Sequence, residues 1–219
     1  MGYYAVFLDL ERRPCVVVGE GEVVERKVDG LVRTGAAVTV ISPRPGTVLE
    51  TMAKTAGVTL VRRSFAKGDL SGVFLAIAVP ADVGERDRIA EEARVERCLL
   101  NVVDVPEHSD FIAPALLERG ELQIAVSSSG GVPALASSVR DRLAEYVGPE
   151  YAETVRLLRD VRERLRATEP SAAERARVLR DLARSEIPER LRKGDRAGVR
   201  RILEAALGRS VDDGAPGEG

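Results

Sequence analysis

Five short apolar runs punctuate the first hundred residues, and helical or turn-like segments separate them. Pro14-Cys15-Val16-Val17-Val18 is rich in β-branched residues and ends at a glycine. Residues 22–34 follow, with Val23, Val24, Val28, Leu31 and Val32 on a helical period and Gly35 placed to stop the helix. Ala37-Val38-Thr39-Val40-Ile41 is the second strand, ended by Ser42-Pro43. Residues 48–55 read as helix and residues 58–61 as strand. Residues 72–79 form an apolar run of the kind buried in the centre of a parallel sheet. Residues 85–94 are helical, and residues 98–103 make a fifth strand that closes at Asp104. Strands alternating with helices at this spacing predict an α/β fold, a Rossmann-like parallel sheet with crossover helices.

The pattern changes near residue 114. Residues 122–127 read as a strand, and Ser128-Ser129-Gly130-Gly131-Val132-Pro133 leads into a helix over 134–146. Beyond Gly148-Pro149 the chain reads as helix throughout. Tyr151, Val155, Leu158, Val161 and Leu165 trace one stripe. Ser171-Ala172-Ala173-Glu174 has the form of a capping box before a helix to residue 184, and Asp195 stands where it can cap a last helix through residue 207. The tail, residues 209–219, is rich in Gly, Asp, Glu and Pro and is expected to be disordered.

Composition narrows the class. A chain of 219 residues with 44% apolar side chains suits a soluble core, and with only 4% aromatics that core must be aliphatic. A net charge of −2 argues against a nucleic-acid footprint. Neither a signal peptide nor a membrane span is expected, which points to the cytoplasm. Cys15 and Cys98 form no CxxC pair, so buried reduced thiols are expected. With His108 as its one histidine, the chain is expected to hold no structural metal.

Candidate chemistry begins at the first turn. Gly19-Glu20-Gly21-Glu22-Val23-Val24 lies between the first strand and its helix. Gly19 would bend the chain, and Gly21 would let a pyrophosphate approach the backbone at the helix N-terminus. The competing reading is a structural turn in a flavodoxin-like sheet. Glu20 sets a carboxylate beside the expected phosphates, so its side chain should face solvent. The second strand ends in Ile41-Ser42-Pro43-Arg44, without the acid that usually holds a ribose diol. Ser42 could bond the ribose, and Arg44 could meet a 2′-phosphate or stack on adenine, so NAD and NADP both stay open.

Asp104 would sit at the carboxyl end of the sheet, where ligands of this fold class bind. There it could move a proton beside a hydride transfer, or it could simply make an Asx-turn before Val105-Pro106. Ser127-Ser128-Ser129-Gly130-Gly131 offers hydroxyls, glycine N–H groups and a helix dipole to an anion; the alternative is that one serine of it is an ordinary cap.

These segments, with Phe7-Leu8-Asp9-Leu10, Glu25-Arg26-Lys27, Asn101-Val102-Val103-Asp104, Asp110-Phe111-Ile112-Ala113-Pro114 and residues 125–136, together resemble the siroheme-synthase dehydrogenase/chelatase family. The resemblance covers residues 3–146. It implies a precorrin-2 dehydrogenase using NAD, in some members also a ferrochelatase taking Fe2+ as substrate, and acting as a homodimer. It implies an NAD-binding domain over 1–113, a dimerisation segment over 114–148 and a helical domain over 149–208. It carries the catalytic role to Asp104 and cofactor contact to Gly19, Gly21, Glu22, Val23, Pro43 and Arg44. The many carboxylates of precorrin-2 suit Ser127, Ser128, Ser129 and Gly130, and His108 would be a proton shuttle or transient iron contact beside Asp104, or a loop residue. The chain departs from the family at Glu20, where a glycine is usual, and at Pro80 and Arg86. A non-catalytic nucleotide- or tetrapyrrole-binding regulator of the same fold is the alternative reading. Residues 150–207 carry 15 Lys/Arg against 11 Asp/Glu, which suits either carboxylate binding or a solvated, ion-paired surface.

Overall fold

The computed structural model describes residues 2–169 and 171–207; the expected disordered tail lies outside them. The chain divides into two compact units. The first runs to Ala113 and includes Ser129–Gly131; the second holds Pro114–Ser128 and the chain from Val132 onward.

The first unit is a parallel sheet of β1 (Pro14–Val18), β2 (Ala37–Ile41), β3 (Thr59–Val61), β4 (Leu75–Ala78) and β5 (Leu99–Val102), in the order β3-β2-β1-β4-β5. Its helices are α1 (Glu22–Arg33), α2 (Thr47–Thr55) and α3 (Val83–Glu96). Period-two alternation sorts the strand residues onto two faces. Cys15, Val17, Leu75 and Ile77 pack with Val24, Val28 and Leu31 of α1 and Leu49 of α2. Val16, Val18, Ala76 and Ala78 pack with Ile89 and Ala93 of α3. The strand order reverses between β1 and β4, and in doubly wound sheets the ligand crevice opens at that point, beyond the carboxyl ends of the strands.

In this unit two elements start two or more residues from where they are expected. The fourth strand starts at Leu75 rather than at Gly72, because Gly72 is left-handed at φ +70° and the Val73 N–H turns back to the Leu70 carbonyl at 3.1 Å. Helix α3 begins two residues early because Asp82 caps it, accepting from Glu85 N at 2.8 Å, while Glu85 returns a carboxylate oxygen to Ala81 N at 2.8 Å.

The second unit contains a hairpin of β6 (Ala115–Arg119) and β7 (Leu122–Val126), then α4 (Pro133–Tyr146), α5 (Glu150–Thr168), α6 (Ala172–Ala183), α7 (Ile187–Arg192) and α8 (Arg196–Leu207). Neither β6 nor α7 is evident from the sequence pattern. The hairpin turns at Gly120-Glu121, with Gly120 at φ +60° between the paired Arg119 and Leu122. Val161 and Leu165 of α5, Val178 and Leu182 of α6, Ile187 of α7, and Val199 and Leu203 of α8 make its helical core. Only half of the expected capping box forms. Ser171 Oγ accepts from Glu174 N at 3.3 Å, but the Ser171 N–H goes to Glu169 at 2.8 Å, and Glu174 pairs with Arg177 instead. Asp195 caps α8 by accepting from Gly198 N at 2.8 Å.

Candidate functional site

The turn after β1 is built for two different reasons. Gly19 has φ +127°, and a Cβ there would lie 2.4 Å from the Val79 carbonyl oxygen. Only glycine lets the end of β1 pass so close to the end of β4. Gly21 has φ +86°, and a Cβ there would meet nothing within 4 Å. Gly21 is the N-cap of α1 and no side chain caps that end, so the first N–H groups, those of Glu22 and Val23 among them, have no partner among the described residues. Open space over a left-handed glycine and uncapped helix donors fit the phosphates of a dinucleotide.

Glu20 and Arg44 meet across this corner. Arg44 Nε donates to Glu20 Oε1 at 3.3 Å, and Nη2 to Oε2 at 3.2 Å. The Glu20 side chain is 33% exposed and that of Arg44 85%. Pro43 is exposed beside them. Ser42 does not present the ribose contact expected of it, because it is wholly buried and its hydroxyl has no partner among the described residues. Arg86 is engaged by Asp87 at 2.8 and 2.9 Å.

Asp104 lies in the turn that follows β5, closed by Val105 N–H bonding to the Val102 carbonyl at 3.1 Å. The residue is exposed, and its φ of +61° is left-handed, a region that Asp enters more readily than most residues other than Gly and Asn. No Asx-turn bond is made. The residue that answers Asp104 electrostatically is Lys27 of α1. Burial pushes the Lys27 ammonium below its ordinary range, Arg26 adds to that, and Asp104 pulls it back up. The sequence reading assigns Lys27 no role, but a signal exists: Lys27 falls three residues after Val24 and four before Leu31, on the stripe of α1 that is otherwise buried and apolar.

His108 ends a 3-10 turn over Pro106–His108. It lines a recess of about 380 Å³ with Asp87, Glu91, Arg94 and Asp110, and Asp104 is not part of that lining.

In the serine loop, Ser128 Oγ accepts from Val132 N at 3.1 Å, so it ties the loop rather than capping the first turn of α4. Ser129 at φ +55° and Gly130 at φ +78° are both left-handed. Ser127, Ser129 and Gly130 are exposed. Several arginines of the helical segment are ion-paired: Arg159 with Glu121, Arg177 with Glu174 and Asp181, Arg190 with Glu186 and Asp195, Arg192 with Glu150, and Arg196 with Glu153. No group of three metal-ligating side chains gathers among the described residues. No described helix is long and apolar enough to cross a membrane.

Comparison with known proteins agrees with this layout. Residues 6–115 match the family model described as "Putative NAD(P)-binding", and residues 119–146 match the one described as "Sirohaem biosynthesis protein central". A siroheme synthase of Azotobacter vinelandii is 33% identical over 207 residues, which is 94% of this chain and 45% of that protein. One from Methylococcus capsulatus is 37% identical over 170 residues, covering 78% of this chain and 36% of that one. The chain thus spans less than half the length of these relatives. Among solved structures, one titled "SirC, precorrin-2 dehydrogenase" superposes with a TM-score of 0.80 at 22% identity, covering 94% of this chain and all of that one, and so shares the fold.

Proposed function

Because this chain belongs to the siroheme-synthase family of NAD(P)-binding proteins, we propose that it oxidises precorrin-2 to sirohydrochlorin with NAD, as a homodimer in the cytoplasm. The observation that carries this reading is the alignment of Gly19, Val79 and Asp104 at the carboxyl ends of the three adjacent strands β1, β4 and β5. That edge offers a phosphate cradle and a carboxylate on one rigid sheet.

The reaction removes two hydrogens from the substrate, one as hydride and one as proton. Bound NAD supplies the hydride acceptor. The N–H groups of Glu22 and Val23 hold the pyrophosphate, with Gly21 leaving room for it. Asp104 takes the proton at its carboxylate, with the Lys27 ammonium of α1 as its electrostatic partner. Ser129 and Gly130, which belong to the same compact unit as Asp104, meet substrate carboxylates. The second copy covers the exposed apolar side chains of Leu135, Val139 and Tyr146 of α4, of Val132 at its N-cap, and of Leu116 of β6. The buried free thiols Cys15 and Cys98 suit a reducing compartment.

The test is steady-state turnover of precorrin-2 with NAD by the wild type and by Asp104→Ala. The variant should lose about 10²-fold or more in kcat while keeping its affinity for NAD. Equal rates would remove Asp104 from the chemistry.

A further inference from the structure

In doubly wound dinucleotide sites, an acid at the end of the second strand accepts a hydrogen bond from the adenosine ribose. This chain has none there, and Ser42, the nearest hydroxyl, is wholly buried. A half-buried carboxylate does reach the same corner from the neighbouring turn. Val18 pairs with Ile41 in the β1–β2 register, and Gly19 N–H bonds to the Ile41 carbonyl at 3.0 Å. Glu20, the next residue, is therefore set against the end of β2, and Arg44 holds it there through both carboxylate oxygens.

We propose that Glu20, held by Arg44, is the acceptor for the ribose diol and the residue that selects NAD over NADP. The proposal rests on the reading of this turn as a dinucleotide site. A carboxylate has about four acceptor positions, and Arg44 occupies two, so both oxygens can still take a hydroxyl. The charge of Arg44 also offsets that of Glu20, so the pair does not repel a pyrophosphate at the start of α1. Exposed ion pairs contribute little to stability, so folding alone gives small reason to keep one here. A 2′-phosphate would meet the Glu20 carboxylate head-on and would find the fork of Arg44 already engaged. Without the Glu20 charge, the same arginine becomes a phosphate ligand.

The experiment titrates NADH and NADPH separately into the full chain, following nicotinamide fluorescence, for the wild type, Glu20→Gln, Arg44→Ala and the double variant. Circular dichroism confirms that each is folded. The wild type should bind NADH at least tenfold more tightly than NADPH. Glu20→Gln should shrink that ratio at least tenfold, mainly by tightening NADPH, and adding Arg44→Ala should abolish the gain. Glu20→Asp, which keeps the charge, should stay nearer the wild-type ratio than Glu20→Gln does. A Glu20→Gln ratio within twofold of wild type overturns the proposal while leaving the dinucleotide site intact. A wild type that binds neither cofactor overturns the dinucleotide reading itself.

Discussion

Leu100 and Asp110 are joined twice: Leu100 N–H donates to Asp110 Oδ2 at 2.9 Å, and Asp110 N–H donates to the Leu100 carbonyl at 2.7 Å. β5 is an edge strand, and this pair satisfies backbone groups that its open side would leave exposed. Ser109 continues the pattern, its hydroxyl meeting both the N–H and the carbonyl of Val102, and Asn101 Nδ2 bonds to the Phe111 carbonyl at 3.0 Å. The stretch from Asn101 to Phe111 is thus a clamp that closes the strand edge and fixes the turn holding Asp104.

Asp110→Ala breaks the clamp on the side-chain arm. It should cost about 1–3 kcal/mol of stability by leaving a strand N–H unpaired. It should also lower kcat, because the Asp104 turn loses an anchor. Urea unfolding and steady-state kinetics on the same preparation check both effects.

The two glycines of the first turn should separate folding from binding. Gly19→Ala forces a Cβ onto the Val79 carbonyl in a left-handed backbone and should cost about 3 kcal/mol or more. Gly21→Ala meets only open space and should cost about 1–2 kcal/mol, for its positive φ. Its larger effect should be a loss of NADH affinity. Thermal melts beside fluorescence titrations distinguish the two variants.

Ser42→Ala removes a buried hydroxyl that has no partner. Stability should change by less than about 1 kcal/mol, or rise, because no hydrogen bond is lost. NADH affinity should be unchanged, which a titration on the variant checks directly.

Burial pushes the Cys15 thiol up to about 11 and, with smaller help from Cys15 and Asp110, the Cys98 thiol to about 12. The unfolded thiols titrate near 9.0. Below that value both states hold the protons and the stabilisation is fully present. As pH rises from there toward the folded values, the unfolded chain gives up protons that the folded chain keeps, and stability falls. The urea midpoint should therefore be lower at about pH 10 than at about pH 8. A thiol reagent at about pH 8 should label neither cysteine in the native protein and both in urea.

Much of this was legible in the chain. The Val-rich runs, Gly35 and the glycine turn place β1, α1 and β2 within a residue of where they lie, because period and turn chemistry are local. What eluded the sequence is non-local. The partner of Glu20 stands 24 residues away, and only the β1–β2 register brings Arg44 to it. Lys27 was visible as a charge on an apolar stripe, but what it faces depends on where β5 ends. β6 was hidden because Ala115-Leu116-Leu117 shows no alternation, and Asp104 could not be separated from an Asx-turn until the hydrogen bonds of its turn were known.

The central claim is that this chain removes a hydride and a proton from precorrin-2 using NAD. Its most direct measurement is a single-turnover reaction of wild-type protein with precorrin-2 and NAD, following NADH and sirohydrochlorin together by absorbance. One NADH should appear for each sirohydrochlorin formed, with matching rates. Bound precorrin-2 that yields no NADH, or sirohydrochlorin that forms equally fast without NAD, would contradict it.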